Sequence, residues 1–279
     1  MRAPASTGQR TRVGDGPVAR RLLIGLACLL TLAFLVAPIA VIFTQALAAG
    51  PKGYLRAITA SDTLHAIALT LTTAAIVVPV NMLFGLAAAW ALTRFRFRGR
   101  GLLLVVIELP YSISPIVGGV MYLFLYGNQG LFGPWLAAHD IRLMFTPAAI
   151  VLVTLFITSP FVARELLPLM QAQGIEEEEA AISLGAGFWR TMTDVTLPNV
   201  KWALLYGAIL CTARSIGEFG GVSVVSGNVR GQTNTLPLQI ELLYNDYDAT
   251  GAFAAATTLT LLALLTIVAK MLLERRRGR

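Results

Sequence analysis

Glu179-Ala180-Ala181-Ile182-Ser183-Leu184-Gly185, followed by Val195-Thr196-Leu197-Pro198, is an acid-led polar stretch inside a chain that is otherwise mostly apolar. It reads as two short helices joined by a glycine break. Glu176 to Glu179 stand at a helix start, where unpaired N–H groups and the macrodipole favour acids. Ala180, Ala181 and Leu184 then form a short, smooth apolar surface, and Gly185 and Gly187 end the helix and let another backbone come close. The second helix sets Phe188, Met192 and Val195 at i, i+4 and i+7 on one face. Leu197-Pro198 stops it ahead of the next apolar run. The alternative is a plain helix pair lying on lipid headgroups. An acidic face suits that badly, because anionic lipids attract basic residues. The stretch therefore reads as a hairpin offered to a soluble partner.

The surroundings set its context. Hydrophobic residues make up 56% of the chain, charged residues 13%, and the mean hydropathy is +0.70. A soluble domain carries about twice that charge, and several runs exceed the roughly 20 apolar residues that cross a bilayer. The fold class is all-α, a polytopic membrane protein with six transmembrane helices. The net charge of +7 does not mark a nucleic-acid binder. Its residues flank apolar runs: Arg20 and Arg21, then Arg94, Arg96, Arg98 and Arg100, then Arg275, Arg276, Arg277 and Arg279. Cys28 and Cys211 both lie in apolar runs without metal-ligand spacing and read as small packing residues. The N-terminal run is too long for a typical signal peptide and reads as an uncleaved first span.

Residues 1–19 are polar and are expected to form a disordered cytoplasmic tail ahead of a membrane domain over 20–279. The expected spans are 22–47, 63–92, 101–126, 147–163, 201–222 and 251–272, with the hairpin at 176–198 between the fourth and fifth. Six spans put both termini on one side. With that side inside, internal segments hold 17 of the 22 Lys and Arg residues; the external loops hold Lys52, Arg56, Arg142 and Arg230, and Arg214 lies within a span. That asymmetry places both termini and the hairpin in the cytoplasm.

The hairpin residues resemble the "EAA" signature of ATP-binding-cassette importer permeases: Glu-Ala-Ala, three residues, Gly, nine residues, Ile, one residue, Leu-Pro. Glu179, Ala180, Ala181, Gly185, Leu197 and Pro198 match, and Val195 stands where the family has Ile. The resemblance implies a type I importer permease fold in which this hairpin sits in a cleft of an ATPase subunit and carries its closure into the membrane. A second set of residues narrows the likeness. Lys201-Trp202-Ala203-Leu204-Leu205-Tyr206-Gly207 is followed by Gly217-Glu218-Phe219-Gly220, Arg230-Gly231 and Thr235-Leu236-Pro237-Leu238-Gln239. From about residue 60 to 270 the chain is similar to W-type permeases of sulfate/thiosulfate importers, which are related to molybdate permeases. That implies a T-type permease as heterodimer partner, two ATPase subunits using ATP and magnesium, and an extracytoplasmic sulfate-binding protein. It also implies the bacterial inner membrane as location, lipid as surroundings and no nucleic acid.

Charged residues inside a span face a partner or a water path. Arg214 and Glu218 are four apart and share a helix face. They read either as an internal ion pair or as part of the translocation gate. Glu108, ahead of Pro110, either competes for Arg214 or faces the partner permease. Ser223, Ser226 and Arg230 fall near the outer mouth, where hydroxyls and N–H groups can pass an oxyanion along; an ordinary ordered loop is the alternative. No Gly-x4-Gly-Lys-Ser/Thr loop is present, so the chain is expected to hydrolyse no ATP and to bind no cofactor itself. His65 and His139 stand far apart, and no metal set or nucleophile–base pair is seen. A molybdate or tungstate permease remains the alternative cargo reading. An ion-gradient-driven transporter would need paired broken helices or an inverted repeat.

Overall fold

Backbone polar groups in lipid must be satisfied within the segment, which leaves helices as the natural solution for this composition. The structure, a computed structural model, describes residues 17–277, and every regular element among them is helical. The expected disordered tail falls almost wholly on residues 1–16, outside the described residues. Helix α1 (Pro17–Thr31) passes through a π turn (Leu32–Val36) into α2 (Ala37–Ala46). Pro38 has no N–H to give to Phe34, and the widened turn before it absorbs the ring. After α3 (Gly50–Ile58), α4 (Ser61–Arg94) runs for 34 residues. At 1.5 Å per residue that is about 51 Å, well beyond a hydrocarbon core of about 30 Å. The excess length carries Arg94 clear of the core to the level of the hairpin.

The 101–126 segment is not one rod. Helix α5 (Arg100–Ser112) meets α6 (Pro115–Tyr126) at 112°. Pro115 excludes the helical conformation at Ser114, which is extended with ψ 134°, and the proline supplies no N–H to continue the ladder. Helix α7 (Gly133–Ala138) follows, and then α8 (Pro147–Gln173). The latter continues through Pro160 and Pro168 and ends at Gly174, which has φ +73°. The hairpin comprises α9 (Glu176–Ser183), α10 (Phe188–Arg190) and a π turn (Thr191–Thr196), which leads into α11 (Leu197–Ile216). The expected 201–222 span breaks at 217–219, and Gly220 opens a separate α12 (Gly220–Val225). Helices α13 (Leu236–Asn245) and α14 (Ala249–Arg277) complete the chain.

Among the described residues, four helices are long and apolar enough to cross a membrane, Val18–Ala46, Ser61–Arg94, Pro147–Gln173 and Ala249–Glu274, and the bent α5–α6 pair makes up to five. Helix α11 has 20 residues but carries Lys201 and Arg214 and falls short of that standard. The most apolar 18-residue window of α1–α2 buries none of its residues within the chain; only toward the end of α2, where it touches α14, is Ala46 buried and Ile42 and Phe43 partly so. Its side chains are left for lipid or another subunit.

Helix α8 is the hub. Helices α4 and α11 lie against it and share a buried cluster that includes Val77, Ala89, Val162, Leu166, Met170 and Val200. Close approach rests on two glycines. A Cβ on Gly85 would stand 2.7 Å from the Val162 side chain and 2.9 Å from the Ala163 backbone N, and one on Gly207 would stand 3.1 Å from Val162 Cα. Small residues at such crossings are what let membrane helices gain contact. Beside them Asn81 Nδ2 donates to Thr158 Oγ1 at 2.8 Å and to the Leu155 carbonyl at 3.3 Å, tying α4 to α8. Gly85→Ala is expected to push α4 off α8 at a cost of about 1–3 kcal/mol. The thermal unfolding midpoint of the purified chain in detergent should fall, and an unchanged midpoint would contradict this account of the crossing.

Candidate functional site

The hairpin projects from the end of the bundle that carries Arg94. Helix α9 closes at its C-terminus with Leu184 N–H on the Ala180 carbonyl (3.1 Å), Gly185 N–H on Ile182 (2.9 Å) and Ala186 N–H on Ala181 (3.0 Å). Gly185 sits at φ +87°, the left-handed conformation that ends a helix cleanly. An added Cβ at Gly185 or at Gly187 would meet nothing within 4 Å. Both therefore face open space. Glu179 and Ala180 are exposed, Ala181 and Val195 half-buried, and Leu197 and Pro198 exposed.

The outer face is more apolar than its acidic sequence implies. Leu184 is 89% exposed and Trp189 76%, and Ile182 is exposed as well. A clustered patch of this kind marks a contact site. The expected second helix differs in its ending. Leu197-Pro198 does not stop it; the π turn runs without a break into α11, with Thr196 and Leu197 both in the right-handed helical region. Pro198 falls at the first positions of α11, where the widened turn has already released the bond its ring would block.

The inner face holds residues that the sequence reading did not single out. Glu178 is 8% exposed and lies against Arg94 at the end of α4. Arg94 Nε is 2.5 Å from Glu178 Oε2, and Nη2 donates to Oε1 at 3.0 Å. Thr196 Oγ1 donates to the same Oε1 at 2.9 Å, and Arg94 Nη1 donates to the Met170 carbonyl of α8 at 3.1 Å. Trp90, one turn back from Arg94, meets Phe188 edge-on with ring centroids 6.1 Å apart. Four consecutive glutamates give no sign of which one turns inward, and Arg94 reads as one of a run of topology charges. The half-buried Ala181, three residues past Glu178, shares its side of α9 and is the only local hint.

Within the bundle, Arg214 Nη1 is 2.5 Å from Glu218 Oε2, and the side chains are 29% and 1% exposed. Glu218 Oε1 also accepts the Gly221 N–H at 2.8 Å, so this carboxylate closes α11 and opens α12 at once. Glu108 stands exposed on α5 and takes no part in that pair. Ser223 Oγ donates to the Gly220 carbonyl at 2.9 Å. Ser226 is fully buried, with its hydroxyl engaged by Asn228 in a turn. Arg230 pairs with Asp246 on the surface. The six candidate pathway residues thus yield one joined pair and four separate positions. Among the described residues no group of three or more His, Cys, Asp and Glu is placed to hold a metal ion.

Comparison with known proteins places this geometry. Residues 81–279 match the family described as binding-protein-dependent transport system inner membrane component. The chain is 51% identical over 254 residues to the sulfate transport system permease protein CysW of Escherichia coli K12, covering 91% of this chain and 87% of the relative. It is 46% identical to CysW of Synechocystis, covering 92% and 93%, and 34% identical to the permease protein CysT of Escherichia coli K12, covering 92% and 93%. Its fold matches a chain in the crystal structure of a bacterial alginate ABC transporter in complex with an alginate pentasaccharide-bound periplasmic protein. The TM-score is 0.76 at 16% identity, covering 93% of this chain and 95% of that one.

Proposed function

The chain belongs to the family of binding-protein-dependent transport system inner membrane components, and from that premise we propose that it is the W-type permease subunit of an ATP-driven sulfate and thiosulfate importer. It is a translocation component and not an enzyme, and it lies in the inner membrane with several spans. The observation that carries the reading is the hairpin. Glu179, Ala180 and Gly185 stand exposed on it, with Leu184 and Trp189, on a chain without a phosphate-binding loop of its own. A projecting apolar surface on such a chain suits docking to a soluble ATPase. Sulfate as cargo draws support from CysW at 51% identity against CysT at 34%, which also favours the W-type position in a heterodimer.

In the proposed cycle both termini and the hairpin are cytoplasmic, and six segments cross the membrane, the bent α5–α6 pair and α11 among them. A loaded binding protein docks outside, and ATP and magnesium close two partner ATPase subunits. The segment from Glu179 to Pro198 passes that motion to the bundle, which opens outward, takes the anion and releases it inward after hydrolysis. Sulfate is a dianion, and a path must attract it without trapping it. Arg214 held against Glu218 meets that need, because the neighbouring carboxylate offsets most of the cation's pull. Glu108, Ser223, Ser226 and Arg230 remain candidates for the path and its mouth.

The test is uptake of radiolabelled sulfate in cells whose own sulfate importer is deleted, with this chain and its neighbouring subunits supplied. Uptake should require ATP and be competed by thiosulfate. Uptake of molybdate with no response to sulfate would transfer the cargo assignment to the alternative. Uptake that follows a proton or sodium gradient and ignores ATP would refute the importer reading.

A further inference from the structure

The joint beneath the hairpin contains more than holding a loop in place requires. The Arg94 guanidinium meets both oxygens of Glu178 and also the Met170 carbonyl, while Thr196 donates to the same carboxylate. The guanidinium thereby links the last turn of α4, the end of α8 and the first turn of α9, and the Glu178 carboxylate adds the π turn entering α11. The two side chains are only 9% and 11% exposed, so solvent and salt screen the pair weakly. A lysine would reach as a point charge but lacks the planar fork that makes these bonds together. The direct covalent route from α8 to α9 is less rigid, because it passes through Gly174 at φ +73°. Without the ion pair, α9 is held against a pivot there by fewer ties, the Asn199–Glu177 hydrogen bond and the Trp90–Phe188 ring contact among those that remain.

We propose that Arg94 and Glu178 are a positioning pair that makes the hairpin move as one body with α4 and α8. A push on the outer face is then delivered to the bundle core and is not absorbed at Gly174. Helix α4 carries it inward, since its middle is locked to α8 by Asn81 and by the Gly85–Val162 contact. The proposal rests on the coupling role given to the hairpin above.

Glu178→Gln tests it with two readouts. The first needs neither partner nor cargo: hydrogen–deuterium exchange of the full chain in detergent. Amides over 176–197 should exchange about tenfold faster, with 147–170 little changed. The second uses the assembled transporter. The amount of sulfate moved per ATP hydrolysed should fall about tenfold, whereas a merely structural defect lowers transport and hydrolysis together and leaves their ratio intact. Arg94→Lys should reproduce both effects and carries both measurements if Glu178→Gln does not insert. Unchanged exchange over 176–197 overturns the joint, and faster exchange with an intact ratio overturns its positioning role. If the wild-type complex moves no sulfate at all, the proposed function fails, while the exchange measurement still decides the joint.

Discussion

Gly185→Leu should abolish sulfate uptake while the chain still folds and inserts. Gly185 adopts φ +87°, which costs a leucine about 1–2 kcal/mol, but that strain is confined to an exposed turn. Among the described residues, nothing beyond its two chain neighbours lies within 4 Å of the new Cβ, so no clash with them follows. The damage is expected where another protein comes close. A leucine forced into a docked surface costs up to about 3 kcal/mol, roughly a hundredfold in occupancy. Gly185→Asn separates the two causes. Asparagine tolerates the left-handed conformation but still fills the space. If uptake stays lost with asparagine and the ATPase no longer co-purifies, crowding is responsible. Full-rate, ATP-dependent uptake with leucine would remove the hairpin from the coupling role. Gly187, equally open but in extended backbone with φ −77°, provides a strain-free comparison.

Glu218→Ala should strongly destabilise the bundle. Its side chain is 1% exposed, 2.5 Å from Arg214, and it also accepts the Gly221 N–H. Removing one partner of a buried pair costs about 3–5 kcal/mol, because the other charge is left without compensation. Arg214 is 29% exposed, so part of its charge is hydrated and the lower end of that range applies. Thermal unfolding in detergent should show a large fall for Glu218→Ala, which leaves Arg214 and the Gly221 N–H without their acceptor, and also for Arg214→Leu, which leaves the more deeply buried carboxylate unpaired. The double variant Arg214→Leu with Glu218→Ala should lose less than the sum of the two single losses, though the Gly221 N–H still lacks its acceptor. Strictly additive losses in that cycle would mean that the two charges do not stabilise each other.

Much of the architecture was legible in the order of residues. Apolar runs marked α1–α2, α4, α8 and α14 as spans, because helix length in lipid follows directly from composition. The hairpin was legible because acids, small residues and glycines signal a start, a surface and a stop within a few residues of one another. The bend between α5 and α6 was missed although its cause is local. Pro115 lies within an apolar run that hydropathy alone joins into one span. The stop at Leu197-Pro198 was misread in the opposite direction, since a π turn lets that proline sit in a continuous helix. The pathway residues were gathered by type and by depth in the sequence. Depth does not say which of them meet, and only Arg214 and Glu218 do; Ser223 and Ser226, or Ser226 and Arg230, stand at helical spacing too but do not pair.

The sequence by itself determined that the chain crosses a membrane repeatedly, that its basic residues flank the apolar runs, and that a polar hairpin with importer spacing interrupts them. Each of these follows from composition or spacing over at most a few tens of residues. Only the tertiary structure decided that Glu178, and not its three acidic neighbours, turns inward, and that its partner is Arg94, 84 positions earlier. The physical reason is helix phase and register. Which side of α9 faces the bundle depends on how the ends of α4 and α8 lie against each other, and that placement rests on a crossing at Gly85 and Val162 that no local pattern records.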